Sequence, residues 1–351
     1  MCKKLLSLMV FLSLSVVSIA FAGLSEGAAA YKKGDYAKAF AEFKALAEQG
    51  DALAQCNLGV MYSNGQGVTK DDAEAAKWYH KAARLGDSQA QHILGSIYAK
   101  GTGVPQNDAE AAKWLRLAAE QGNATAQCNL GVMYANGRGL AKDDAEAAKW
   151  YRKAAEQGDA TAQCNLGVTY ANGEGVPRDY AEAAKWLRLA ADRENVKAQV
   201  LLGVMYHLGE GVPQDLAEAA KWYLKAAEQG DAGAQGNLGA MYLNGLGVSR
   251  DYAEAAKWLR LAAEQGNASA QCSLGTMYIT GEWLSKDLVS AYMWVSLAAT
   301  RGDTAIRNDG EVQKVSGSAR EVLAVLEEAM TPSQIAEAQR KARDWKPGSR
   351  Q

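Results

Sequence analysis

The chain has 351 residues, with 38 lysines and arginines against 40 aspartates and glutamates, and a formal net charge of −2. The sequence carries no run or stripe of basic residues, which speaks against nucleic acid as a ligand, because phosphate backbones are bound through clustered positive charge. The length would ordinarily suggest two or three domains, but a repeat array removes that expectation.

The first 22 residues have the pattern of a secretory signal peptide. Lys3 and Lys4 precede an apolar run over 5–19, and Ala20-Phe21-Ala22 supplies the small residues of a cleavage site. We expect cleavage after Ala22, export to the periplasm or the medium, and no stable membrane insertion of the mature chain. The alternative interpretation is an N-terminal membrane anchor, which the shortness of the apolar run disfavours.

A unit of 36 residues then recurs at constant spacing. The leucine-glycine pairs end at Gly59, Gly95, Gly131, Gly167, Gly203, Gly239 and Gly275, and the tryptophans stand at Trp78, Trp114, Trp150, Trp186, Trp222, Trp258 and Trp294. Such a period predicts a solenoid, in which each repeat packs on its neighbours. We divide the chain into a signal peptide over 1–22, a divergent helical cap over 23–50, seven repeats over 51–302, and a helical cap and tail over 303–351.

Each repeat is predicted to contain two helices. In the first repeat, Ala54, Leu58, Met61 and Tyr62 form an apolar face at helical spacing, and the helix stops at Asn64-Gly65. A Gly-x-Gly-Val loop follows, whose glycines can take positive φ. The second helix begins with an aspartate or asparagine and a glutamate three residues later, which is the spacing of a capping box. These pairs are Asp71 with Glu74, Asn107 with Glu110, Asp143 with Glu146, Asp179 with Glu182, Asp215 with Glu218 and Asp251 with Glu254.

The body of each second helix is apolar on more than one stripe, as in Ala75, Ala76, Trp78, Tyr79 and Ala82. Such a helix must be covered on two sides. We expect its own partner helix to cover one side and the next repeat to cover the other, with the tryptophan filling the gap between repeats.

The pattern AxxxLGxMYxxGxGVxxDxxEAAKWY, nearly complete in six of the seven copies, resembles the Sel1-like repeat family, a relative of the tetratricopeptide repeat. The resemblance covers about Ala52 to Gly302. It implies an all-α fold, a right-handed α-solenoid superhelix of antiparallel helix pairs whose first helices line the concave face. It also implies an adaptor that holds other proteins. Some exported relatives bridge their helices with paired cysteines, but here the second helices end in Ala-Ala, so that bridge is not expected.

The cysteines behind the expected cleavage site share one repeat position: Cys56, Cys128, Cys164 and Cys272. An intervening helix separates equivalent positions of successive repeats, and packed helices lie about 8–10 Å apart. A disulfide needs Cα atoms roughly 4.4–6.8 Å apart. We therefore expect partly buried thiols rather than a disulfide framework.

Two departures from the pattern stand out. Asp192-Arg193-Glu194 replaces the usual Glu-Gln-Gly, which removes a helix-ending glycine and predicts a locally altered angle. The last loop reads Gly281-Glu282-Trp283-Leu284, and a tryptophan does not take positive φ comfortably, so a different loop shape is expected. Beyond Gly302 the period stops, and helices are predicted over 318–330 and from Thr331-Pro332 to about Asp344, closing the end of the solenoid.

The sequence offers little for catalysis. Its three histidines, His80, His92 and His207, stand in different parts of different repeats, and no HExxH, paired CxxC or nucleophile-elbow motif is present. The glycine-rich loops follow a helix and lead to aspartate, whereas a P-loop follows a strand and ends in Gly-Lys-Ser/Thr. We expect no enzymatic activity, no cofactor and no metal.

One set of first-helix positions is the candidate binding site. Leucine, glycine and tyrosine of each first helix are expected to pack inward, so their neighbours should face the concave groove. An asparagine side chain carries a donor and an acceptor and so matches the backbone of an extended peptide. Alternatively, the asparagines bond the neighbouring helix or loop and set the superhelix. The candidate residues are Asn57, Val60, Asn64, His92, Cys128, Asn129, Val132, Asn136, Asn165, Val168, Asn172, Asn237 and Asn244.

The leading hypothesis is an exported, non-catalytic, monomeric scaffold that binds a protein or an extended peptide in this groove. Two alternatives stay open. One is a secreted effector that engages host proteins, which composition does not separate from a periplasmic adaptor. The other is an envelope protein that binds or hydrolyses peptidoglycan or β-lactams, for which the sequence supplies neither nucleophile nor metal.

Overall fold

The computed structural model describes residues 23–281, 284–302 and 311–347, and every regular element within them is an α-helix. The expected signal peptide over 1–22 and the predicted unusual loop at Trp283 lie outside these residues. The helices group into two compact units, Met1–Arg178 and Asp179–Gln351. The predicted all-α class of paired helices is confirmed.

In the first unit, antiparallel helix pairs follow a short N-terminal pair. The helices are α1 (23–32), α2 (Tyr36–Glu48), α3 (Ala52–Asn64), α4 (Asp72–Arg84), α5 (Ser88–Lys100), α6 (Asp108–Glu120), α7 (Ala124–Asn136), α8 (Asp144–Glu156) and α9 (Ala160–Asn172). α3 packs on α4, α5 on α6, and α7 on α8. Each second helix also contacts the first helix of the following repeat, so that α4 packs on α5, α6 on α7 and α8 on α9.

The second unit repeats this arrangement and adds a C-terminal cap. Its helices are α10 (Tyr180–Ala191), α11 (Val196–Leu208), α12 (Leu216–Glu228), α13 (Ala232–Asn244), α14 (Tyr252–Glu264), α15 (Ala268–Thr280), α16 (Leu288–Gly302), α17 (Glu311–Ala329) and α18 (Pro332–Asp344). The predicted capping box is present at the start of α18, where Thr331 and Gln334 satisfy each other's backbone N–H groups. Trp345 lies edge-on to Trp294 of the last repeat, with ring centroids 6.2 Å apart, and so covers the apolar end of the array.

The glycines of each loop are required by backbone geometry. α7 ends at Gly137, whose φ of 65° is left-handed. Gly139 follows with a φ of 70°, and a Cβ placed on it would lie 2.0 Å from the carbonyl oxygen of Asp108 in the preceding repeat. Only glycine meets both demands, so the Gly-x-Gly-Val loop is a tight helix-to-helix turn that touches the neighbouring repeat.

The capping boxes predicted for the second helices form only in part. Oδ1 of Asp143 accepts from the backbone N–H of Glu146 at 2.9 Å, as predicted. The reciprocal bond is not made, because the Asp143 N–H already donates to the carbonyl of Tyr134 at 3.0 Å. Glu146 accepts instead from Nζ of Lys149 at 2.8 Å. The cap therefore ties the second helix to the first helix of its own repeat.

In four of the described repeats a buried glutamine of the first helix joins three helices, a role not foreseen from the sequence. Nε2 of Gln127 donates to the carbonyl of Ala119 at 2.9 Å, and its Oε1 accepts from Nε2 of Gln157 at 2.8 Å. Gln127 thus bonds the preceding repeat, and the Gln of the Glu-Gln-Gly segment bonds Gln127 from within its own repeat. Where Leu85 replaces that glutamine, Oε1 of Gln55 is buried without a hydrogen-bond partner in the described residues.

The Asp192-Arg193-Glu194 segment retains the usual turn. α10 is one residue shorter than the other second helices of the repeats in its unit, but Asn195 N–H still donates to the carbonyl of Ala190 at 3.1 Å. Glu194 takes a φ of 62°, where the other repeats place glycine. The left-handed backbone of a non-glycine residue costs roughly 1–2 kcal/mol, so the departure introduces local strain rather than a new turn.

Candidate functional site

Four positions of each first helix form one solvent-facing strip, which we call the first-helix stripe. They recur at i, i+4, i+7 and i+11, the spacing of one helix face. In the first unit the stripe consists of Leu53, Asn57, Val60 and Asn64 in α3, Gln89, Ile93, Ser96 and Lys100 in α5, Thr125, Asn129, Val132 and Asn136 in α7, and Thr161, Asn165, Val168 and Asn172 in α9. All are half-buried or exposed. The asparagine and valine positions were predicted from the sequence, but the position in the first turn was not, because its residue type varies among the repeats.

The inner asparagines of the stripe contact the preceding first helix. Nδ2 of Asn129 lies 3.2 Å from Nε2 of His92, and Nδ2 of Asn165 lies 3.9 Å from Sγ of Cys128. Their side-chain carbonyl oxygens accept no hydrogen bond within the described part of the chain. Each amide therefore uses its donor between repeats, as the second interpretation of the asparagines expects, and its acceptor is unbonded in the described residues.

The cysteines lie behind the stripe rather than on it. Cys128 is only 3% exposed, and burial, with a smaller contribution from Asp159, raises the pKa of its thiol to about 12. Burial likewise raises the pKa of Cys56 to about 12. No disulfide joins the cysteines of the described residues. The cysteine position is an inter-repeat packing position, so Cys128 offers a partner almost no surface.

The asparagines at the ends of the first helices bond locally. Asn136 donates to the carbonyl of Val132 at 2.9 Å, and Asn172 donates to Oε1 of Glu174 at 3.1 Å. Asn64 donates to Gln66 at 3.2 Å. These exposed side chains form the rim of the stripe. In the second unit, Asn244 holds the equivalent exposed position and donates to the carbonyl of Ala240 at 2.9 Å, while Asn237 is exposed at the position of the inner asparagines.

An apolar cleft adjoins the stripe at the N-terminal helices. Asn57 and Val60 line it together with Phe43, Tyr31 and Ala28, and its volume is about 210 Å³. The hydroxyl of Tyr31 donates to Gln66 at 2.8 Å, which holds α1 against the first loop. The stripe therefore borders an apolar recess where an anchoring side chain can be buried.

His92 is the one titratable ring among the candidate residues. It stands where the neighbouring repeats carry cysteine, and burial lowers its pKa. Its Nδ1 is buried without a hydrogen-bond partner in the residues that the structure describes. The protonated ring would need two acceptors, and Asn129 offers at most one, so this position favours the neutral ring.

We expect acidification to destabilise the wild-type chain more than the His92→Cys variant. Because the folded pKa is lowered, the unfolded chain takes up the proton first, and stability is lost as the pH falls from about 6.5 towards the folded pKa. Above that window the effect is absent. Cysteine restores the residue of the neighbouring repeats, and its buried thiol does not titrate there. Melting temperatures at pH 8.0 to 5.5 in reducing buffer test this, and parallel curves would exclude His92 as the source.

Neither a metal-binding cluster nor a membrane-spanning helix occurs in the residues that the structure describes. In the described ranges no group of three or more histidine, cysteine, aspartate or glutamate side chains is arranged to hold a metal ion. No helix in those ranges is both long and apolar enough to span a bilayer.

Comparisons with known proteins agree with this architecture. The Sel1 repeat model matches seven consecutive segments, 52–87, 88–123, 124–159, 160–195, 196–231, 232–267 and 268–303. A crystal structure of a Sel1 repeat protein from Oxalobacter formigenes is 36% identical, with a TM-score of 0.63, over 68% of this chain and 96% of that one. A protective antigen of uropathogenic Escherichia coli with an SLR fold is 30% identical over 94% of this chain and 85% of its own, with a TM-score of 0.49. A search of curated proteins finds no match. Seven consecutive matches over 52–303 establish that the chain belongs to the Sel1 repeat family.

Proposed function

We propose that the protein is an exported, non-catalytic scaffold that binds an extended peptide segment of another protein along the first-helix stripe of the first unit. Proteins built from Sel1 repeats are generally protein-interaction scaffolds. Export is supported by the Lys-Lys start, apolar run and Ala-Phe-Ala pattern of residues 1–22. That the bound part of the partner is an extended peptide goes beyond this family role, and the chemistry of the first-helix stripe supports it.

The observation that carries the proposal is a pair of asparagine side chains whose donor groups are engaged and whose acceptor groups are not. Asn129 and Asn165 stand 36 residues apart on adjacent first helices, with their Nδ2 groups engaged between repeats. Their carbonyl oxygens can accept the backbone N–H groups of an extended segment. Val132 and Val168, half-buried one turn further along, supply apolar contact beside them. Backbone-directed bonds of this kind give affinity, and flanking pockets give specificity.

The double variant Asn129→Ala with Asn165→Ala tests this proposal. We expect a tagged double variant expressed in its native cells to lose the partner that the wild type co-purifies, while its melting temperature stays close to the wild-type value. The matched control is Lys113→Ala with Lys149→Ala, which removes two exposed side chains of the second helices α6 and α8. Loss of the partner only together with a large fall in melting temperature would assign the asparagines to the superhelix and overturn their ligand role.

A further inference from the structure

In the first unit, an arginine of one loop binds to acceptors of the preceding repeat. Arg138, in the loop after α7, reaches back to the preceding repeat. Its terminal nitrogen lies 2.8 Å from Oδ1 of Asp108 and 3.3 Å from the carbonyl oxygen of Ala99, and its Nε lies 3.4 Å from Oδ2 of Asp108. This contact lowers the pKa of Asp108. A carboxylate and a backbone carbonyl at this place in the repeat therefore form a binding site for a planar cation, which we call the guanidinium seat.

One repeat further on, both acceptors remain but the arginine is gone. Asp144 stands 36 residues after Asp108, and Ala135 stands 36 residues after Ala99. The residue at the position of Arg138 is Glu174. Asp144, Ala135 and Glu174 all line one cavity of about 90 Å³. The chain thus repeats the seat and replaces its own cation with a second carboxylate.

A tyrosine that is almost wholly buried lines the same cavity. Tyr151 is 6% exposed, and among the residues that the structure describes its hydroxyl makes no hydrogen bond. The equivalent tyrosines differ: burial raises the pKa of Tyr79 and Tyr223 to about 12, and nearby Ser63 and Asn237, respectively, offset part of that rise. In this repeat, the residue at the position of Ser63 is alanine. Asn165, at the position of Asn237, turns its Nδ2 to Cys128.

Two further lining residues determine the size and the polarity of the cavity. Thr169 lines it at a position where the other repeats carry methionine or isoleucine, so a long apolar side chain is missing. Asn165 also lines it, and the carbonyl oxygen of that amide has no donor in the first unit as described. The groups around the cavity are therefore mainly acceptors, which require a ligand rich in donors.

We infer that this cavity, which we call the fourth-repeat pocket, binds the guanidinium group of an arginine side chain in the partner peptide. The guanidinium carries five N–H donors in a planar fork and suits a carboxylate, a carbonyl and a phenol at once. An ammonium group has only three donors and no fork. The inference rests on the proposed function, since the pocket lies on the first-helix stripe through Asn165 and Val168.

Two existing contacts engage the carboxylates of the pocket without filling it. Nζ of Lys142 lies 3.3 Å from Oδ2 of Asp144, with about two-thirds of that lysine side chain exposed. Asn172 bonds Oε1 of Glu174. A solvent-exposed ion pair of this kind is weak, and the two contacts leave Oδ1 of Asp144 and Oε2 of Glu174 open to a second cation.

The test is a titration of the full mature chain with N-acetyl-arginine methylamide, followed by amide chemical shifts in NMR. We expect saturable shifts confined to the region of 135–174, and binding of the matched N-acetyl-citrulline methylamide that is about tenfold or more weaker, because citrulline keeps the shape and loses the charge. Tyr151→Phe should weaken binding of the arginine probe by about threefold to tenfold, with no loss of melting temperature.

The sharpest variant is Glu174→Arg, which returns to the loop the arginine that its neighbour already has. It should fold as stably as the wild type and abolish binding of the arginine probe, because its own guanidinium occupies the seat. The control is Glu210→Arg, the same exchange one repeat later, where Tyr180 stands at the aspartate position and binding in the first unit should be unchanged. Equal responses to arginine and citrulline, or equal binding by wild type and Glu174→Arg, would overturn the inference.

This experiment separates the pocket from the proposed function. If the probe does not bind while Asn129 and Asn165 still govern partner capture, only the guanidinium inference fails. If the probe binds as described and no partner depends on those asparagines, the pocket stands and the peptide-scaffold proposal fails.

Discussion

Trp150→Ala is expected to lower the free energy of unfolding by about 3–5 kcal/mol. Trp150 of α8 is 7% exposed and packs in one cluster with Leu115 of α6 and with Leu130 and Met133 of α7. The ring thus fills the space between two consecutive repeats, as the sequence predicted. Removing it leaves a cavity that neither helix can close alone.

The tryptophan contributes through its volume rather than its polar group. The indole Nε1 of Trp150 is buried with no acceptor in the described residues. Trp150→Phe should therefore lose much less stability than Trp150→Ala, since it keeps a ring and removes an unpaired donor. Urea unfolding gives the free energies, and hydrogen exchange shows whether α6 to α8 open first, as expected for an array of neighbouring interfaces. Equal losses in the two variants would contradict the packing role.

Gly239→Ala and Gly236→Ala should change stability in opposite directions, although both lie in α13. A Cβ on Gly239 would lie 2.7 Å from Cγ of Leu259 and 3.1 Å from its backbone nitrogen. The second helix would have to move away, at a cost of about 1–3 kcal/mol. This glycine belongs to the leucine-glycine pair of every repeat, so its role is close helix approach.

Gly236→Ala is the matched control in the same helix. The atoms nearest to its Cβ would belong to the side chain of Asn267, at 3.4 Å or more, which is ordinary contact. Alanine is a better helix former than glycine by about 0.5–1 kcal/mol, so this variant should be stabilised. Melting temperatures of the two variants decide the matter, and a destabilised Gly236→Ala or a neutral Gly239→Ala would refute the close-approach argument.

The fold was predictable because its determinants are local and repeat. The side chains of Asp71 and Asp143 cap their helices by accepting from backbone N–H groups three residues later, and Gly137 ends its helix through its own left-handed φ. Such features need no knowledge of the neighbouring repeat. The Glu146 half of the capping box was wrong because the competing partner, the carbonyl of Tyr134, lies on another helix.

The candidate site was predictable only to the level of a helix face. Periodicity places Cys128, Asn129 and Val132 side by side on α7, but it does not give the angle at which the next first helix packs. That angle buries Cys128 and leaves Asn129 half-buried. The fourth-repeat pocket depends on Glu174, which stands at the position that Arg138 holds in the preceding repeat. The sequence alone does not show that Arg138 binds Asp108, so it gives no reason to expect a cation site where Glu174 replaces that arginine.

Site-specific photo-crosslinking in the native cell tests most directly whether the first-helix stripe binds a peptide. A photoreactive residue is placed at Val132, on the stripe, and in a second strain at Lys149, on the exposed face of α8. We expect a discrete crosslinked partner at position 132, with a mass spectrum that locates the adduct in one extended segment, and no such product at position 149. The same products at both positions, or none at position 132, would contradict it.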